Sequence, residues 1–124
     1  MTDRLDDAAL ILSELIAFPT VTSESNLELI EYLADRLEPL AAHIRLTHDE
    51  SGSKANLFAT LGPLIDGGIV LSGHSDVVPA DEPDWTSGPF FAMQRDQRIY
   101  GRGAADMKGF LACAAAMATE FAAA

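Results

Sequence analysis

The chain has 124 residues, enough for one compact domain and too few for two ordinary ones. Hydrophobic residues make up 48% of it and charged residues 22%, which is the balance of a chain that folds around a core and excludes wholesale disorder. Lys and Arg number 8 against 19 Asp and Glu, and the resulting charge of −11 repels phosphate backbones and anionic lipid, so neither nucleic acid nor a membrane surface is an expected partner.

In chain order, Leu5, Ala8, Ala9, Ile11, Leu12, Leu15 and Ile16 recur at spacings of three and four, predicting an amphipathic helix with Thr2 or Asp3 as N-cap and Pro19 closing it. After the loop FPTVTSES, Ser25 and Glu28 form a capping-box pattern ahead of Leu29, Ile30, Leu33 and Leu37, a second helix ending near Pro39. HIRLTH and ANLFATLG are short and rich in β-formers, and the turn composition of ESGSK between them predicts an antiparallel pair. GIVLSG, an apolar run bounded by glycines, is expected to be a central strand covered on both faces. From His74 to Pro89 the sequence is polar, holds three prolines and reads as a long loop. FFAMQR and RIYG flank Asp96 and Gln97 as a hairpin, and from Met107 onward the composition is helical, with Asp106 near the N-terminal end.

No run reaches the roughly 18 to 20 apolar residues of a membrane span, and MTDRLDDAAL lacks a basic and then apolar leader, so the cytoplasm is the expected compartment. A single cysteine, Cys113, allows no intrachain disulfide and no thiolate-rich zinc site, which leaves His and carboxylates as metal donors. Set among alanines on a helix, Cys113 reads as a small buried hydrophobe.

The residues with chemistry to offer are His74, Asp76 and Asp106. His74 and Asp76 lie two apart directly after the GIVLSG run, and in extended geometry they project to the same side. A ligating imidazole commonly has a carboxylate to fix its tautomer, which Asp76 can supply. Taken alone, the pair has a plainer reading as a loop histidine hydrogen-bonded to a nearby Asp, and Asp106 reads equally as a helix cap. Neither reading accounts for the glycine-dense run YGRGAADMKG or for Arg102 and Lys108 within it.

LSGHSDVVP, DWTSGPF and YGRGAADMKGF, in this order and at these spacings, resemble the M20 family of metal-dependent aminoacylases and exopeptidases. FPTVTSESNLELIEYLADRL and KANLFATLGP also match one branch of that family, and the resemblance runs from about Leu10 to the end. It implies a three-layer α/β/α zinc-exopeptidase-like catalytic domain with a mixed sheet, of which residues 1–124 would be the N-terminal part. The lid and dimerisation domain and the rest of the catalytic segment would then lie outside this sequence. The resemblance also implies that His74 is a terminal ligand of one Zn²⁺, that Asp106 bridges two metals (Zn²⁺, with Co²⁺ possible), and that Asp76 is the catalytic-site acid orienting His74. The implied substrate is a small N-acyl amino acid, and the full-length enzyme is expected to be a homodimer.

The family's general base is a glutamate. The only acidic residue after Asp106 is Glu120, which the rise of an intervening helix places roughly 20 Å away. His43 and His48 read as ordinary strand histidines, Asp81, Glu82 and Asp84 as a solvated loop face, and Trp85 and Phe90 as cover for the loop.

Overall fold

A computed structural model describes residues 3–41 and 43–124. Helix α1 spans Arg4–Ala17 and is capped by Asp3, whose carboxylate accepts from the Leu5 N–H at 3.0 Å, while Asp6 and Asp7 occupy the first turn, where the helix dipole favours negative charge. Thr2, the alternative cap, lies outside the described residues. The helix stops at Phe18, held extended because the following Pro19 disfavours helical geometry there.

Helix α2 spans Leu27–Leu37, and its start differs from the expected capping box. Asn26 takes the N-cap position, and Ser25 Oγ accepts from the Leu27 N–H at 3.2 Å. The Asn26 amide turns away from the helix and pairs with both backbone groups of Ala55, donating to the carbonyl and accepting from the N–H, each at 2.9 Å. An amide carries both donor and acceptor, so one side chain satisfies a strand end completely.

That strand is β2, Ala55–Thr60, which pairs antiparallel with β1, His43–His48, in the register His43 opposite Thr60 and His48 opposite Ala55. A second antiparallel pair, β3 (Met93–Arg95) and β4 (Arg98–Tyr100), turns at Asp96 and Gln97 with φ of 54° and 61°. Two successive left-handed residues make the turn whose twist matches that of a two-residue hairpin.

Helix α3, Gly109–Ala123, packs mainly on α1. The core joins Ile11 and Leu15 of α1, Leu29, Ile30 and Leu33 of α2, and Ala112, Ala115 and Ala116 of α3. Alanines on the buried face of α3 let its backbone approach α1 closely, and the bulk comes from the α1 and α2 side. None of the described helices is long and apolar enough to cross a membrane.

The chain is therefore α/β, with two separate antiparallel ladders among the described residues and one isolated parallel bridge, Val21 to Val77. Two sequence expectations fail. GIVLSG forms no strand, and Ile69 is 90% exposed, Val70 72% and Leu71 52%. A strand covered on both faces needs neighbours at its edges, and neither ladder reaches this segment, so its backbone has no partner to pair with. Cys113 is exposed as well. The buried stripe of α3 runs through Ala112, Ala115, Ala116 and Ala118, and Cys113, one position along, turns off it.

Candidate functional site

The site begins where α1 ends. Beyond Pro19 the chain runs beside residues 75–77: the Val77 N–H donates to the Thr20 carbonyl and the Thr22 N–H to the Val77 carbonyl, each at 3.0 Å. Buried Thr20 adds a bond from Oγ1 to the Ser75 carbonyl at 2.6 Å. These contacts fix Asp76 between two anchored neighbours, and the Thr22 hydroxyl donates to Asp76 Oδ2. That hydrogen bond, with the nearby His74 charge, holds the Asp76 carboxyl below the usual carboxylate range against the opposing effect of burial.

His74 is held at both ring nitrogens. Nδ1 lies 3.1 Å from the Asp76 carbonyl and 3.1 Å from its Oδ1, and Nε2 lies 3.0 Å from Asp106 Oδ1. Desolvation lowers the His74 pKa, but the hydrogen bonds to the Asp76 carbonyl and to Asp106, with both carboxylate charges, outweigh it and leave the ring above its ordinary value. All the groups facing the ring are acceptors.

Asp106 arrives from the other side, on the turn Ala104–Lys108 ahead of α3, with extended backbone (φ −131°, ψ 93°) and a cis peptide to Met107. The helix thus starts at Gly109, and Asp106 stands outside it with its side chain 87% exposed. Gly103 opens this turn at φ +85°, where a Cβ would lie 2.5 Å from Val77 Cγ1, so only glycine lets the turn close on the Val77 segment. Lys108 ends the turn fully buried, its ammonium donating to the Phe18 carbonyl at the end of α1 at 2.8 Å. Desolvation pulls its pKa down to about 8. Thr22, His74, Asp76, Arg102 and Asp106 line a cleft of about 280 Å³.

Residues 70–124, which contain His74, Asp76 and Asp106, match the model of Peptidase family M20/M25/M40. The site residues thus lie within the segment that is similar to the M20 family. The chain is also 44% identical over 106 residues to the acetylornithine deacetylase of Proteus mirabilis, covering 80% of this chain and 27% of that protein. It is 45% identical over 107 residues to that of Pasteurella multocida (81% and 28%) and 36% identical over 119 residues to that of Shigella sonnei (90% and 31%). The chain thus spans between a quarter and a third of the length of these curated relatives.

The residues singled out from sequence come together: His74, Asp76 and Asp106 share the cleft. Among the described residues, no group of three or more His, Cys, Asp or Glu side chains is placed to hold one metal ion. His74 and Asp106 still fit as two donors of a larger set. With Nδ1 donating to Asp76, a neutral ring turns its Nε2 lone pair toward a carboxylate oxygen at 3.0 Å, and two facing acceptors require a proton or a cation between them. Imidazole and carboxylate are suitable donors for zinc.

His43 and His48 are exposed on β1, apart from the cleft, as expected of ordinary strand histidines. Glu120 is bound to Arg4, its Oε1 accepting from Nη2 at 2.7 Å, and is not at the site. Sequence reasoning did not single out Thr22, whose role depends on a pairing across more than fifty residues. It left Lys108 without a role, although a lysine inside a glycine-rich apolar run was a usable sign of a buried cation.

Proposed function

We propose that residues 1–124 are part of the catalytic domain of a metal-dependent amide hydrolase of the M20 type, a three-layer α/β/α domain with a mixed sheet when its other strands are present. The observation that carries this is the meeting of His74 Nε2 and Asp106 Oδ1 at 3.0 Å in the cleft, with Asp76 on the other ring nitrogen. In this reading His74 and Asp106 would be donors to the metal, and Asp76 the acid that fixes the His74 tautomer. Divalent cations held there, Zn²⁺ or Co²⁺, would supply Lewis-acid polarisation of an amide carbonyl and an activated water at neutral pH. This chain's own contribution is to orient the imidazole through Asp76 and Thr22, and to hold Asp106 on a turn anchored by Lys108.

The substrate best supported by the relatives is N2-acetylornithine, hydrolysed to ornithine and acetate in arginine biosynthesis in the cytoplasm, by a homodimer in the complete protein. Other M20 substrates, a succinylated diaminopimelate or a C-terminal peptide residue, use the same three residues and form the second reading. Glu120, the only acidic residue after Asp106, is paired with Arg4 away from the cleft and cannot act as the base, so the 124 residues alone are expected to show no significant turnover. Turnover at an ordinary enzyme rate, about 1 s⁻¹ or more, by the chain with Zn²⁺ or Co²⁺ would overturn that part of the reading. To test the rest, the chain replaces the matching segment of the Proteus mirabilis deacetylase. The chimera is expected to hydrolyse N2-acetylornithine and to lose activity with His74→Ala, whereas a folded, inactive chimera would refute the assignment.

A further inference from the structure

No helix or strand spans Pro79–Pro89, yet both ends of this loop meet a single residue. The Arg102 N–H donates to the Pro89 carbonyl at 2.6 Å, and Arg102 Nη2 donates to the Pro79 carbonyl at 3.1 Å. Between these ends the same guanidinium bonds Glu82 Oε1 and lies 5.2 Å from the centre of the Trp85 ring. Trp85 Nε1 donates to Glu82 Oε2 at 3.1 Å, which closes a network of three side chains. A lone exposed ion pair would be weak. Here one planar group joins the Pro79 carbonyl, a carboxylate and an aromatic face, while the backbone N–H of the same residue holds the Pro89 end.

Two further observations tie this network to the cleft. Arg102 and Val78, the residue before the loop, both line the cleft, and Arg102 sits on the glycine-rich segment that leads to Asp106. Arg102 Nε is buried without a partner, so the side chain keeps this pose at the expense of one donor. The loop also carries Asp81, Glu82 and Asp84 in a chain of charge −11, and of these three Glu82 is the one paired with Arg102.

We propose that Arg102 is a positioning residue: it closes the neck of the Pro79–Pro89 loop and fixes that loop at the edge of the His74–Asp106 cleft formed by Val78 and Arg102. A molecule entering from that side then meets an ordered rim. The inference goes beyond the hydrolase reading and does not depend on it, because its readout is the loop itself.

Trp85 is the only tryptophan, so tryptophan emission, excited selectively over that of the two tyrosines, reports this loop. The test compares the full chain with Arg102→Met, Arg102→Lys and Glu82→Gln by acrylamide quenching of Trp85, hydrogen exchange of residues 79–89 and helical circular dichroism. Arg102→Met removes a cation–π contact, an ion pair and a hydrogen bond together, and should raise the open population of the loop about tenfold with the helical signal unchanged. Arg102→Lys keeps the charge and one bond and should fall between Met and the parent, and Glu82→Gln should show a smaller increase. If Arg102→Met leaves quenching and exchange within about twofold of the parent, the proposal is wrong. Should Arg102→Met lose its helical signal, the other two variants decide: increased quenching in both supports the proposal, and parent-like values overturn it.

Discussion

Ile11 and Ile69 are the same residue in two apolar runs, and the fold treats them oppositely: Ile11 is fully buried and Ile69 is 90% exposed. Ile11 belongs to a helix that satisfies its own backbone and presents one apolar stripe, so it needs only a facing helix, which α3 supplies. Ile69 belongs to a segment whose backbone, if buried as a central strand, would need neighbouring strands to pair with, and which is otherwise left to water. Apolar content therefore states a demand for burial, and the hydrogen-bonding needs of the backbone decide which segments meet it within these residues.

The sharpest way to break this comparison is the same substitution at both positions. Ile11→Ala should cost about 2–5 kcal/mol in denaturant unfolding, because it removes a fully buried side chain from the α1–α3 contact. Ile69→Ala should stay within about 0.5 kcal/mol, and equal losses at the two positions would show that the 68–73 segment is packed in solution.

Between these limits lie two positions that join the packed region to the site. Gly103→Ala places a Cβ 2.5 Å from Val77 at φ +85°, and should cost about 1–3 kcal/mol while shifting the Asp106 and Val77 resonances in NMR spectra. Asn26→Ala leaves both backbone groups of Ala55 without their partner and should cost about 1–3 kcal/mol, read as faster exchange of the Ala55 amide.

The smallest effect is a pH dependence within the packed region. Burial first, and then the Glu14 carboxylate, push the Tyr32 hydroxyl up to about 12. The unfolded chain ionises this group near the ordinary tyrosine value of 10.0, so its contribution to stability is full below about 10 and is lost as pH rises toward 12. In a Tyr100→Phe background the phenolate absorbance should rise with a midpoint near 12, and a midpoint near 10.0 would contradict the burial.

Much of this was legible in sequence because it is local. The periodicity of α1 and α2, the ESGSK turn and the Asp96–Gln97 hairpin depend on neighbours a few residues apart. The Asn26 cap was misread because its side chain answers to Ala55, a partner on another element. GIVLSG was misread because apolar runs do not state where their partners are. At the site, His74, Asp76 and Asp106 were visible as chemistry in a family-like spacing. Thr22 and Lys108 were not, since their roles exist only once the 18–22 and 75–77 segments lie side by side.

In the proposed function His74 and Asp106 are two donors of one cation site. Titration of the chain with Co²⁺, followed by its visible absorption, tests it most directly. Uptake should be saturable, weaken at least about tenfold with His74→Ala and with Asp106→Ala, and be unchanged with His43→Ala. Uptake that is the same in all four proteins would contradict it.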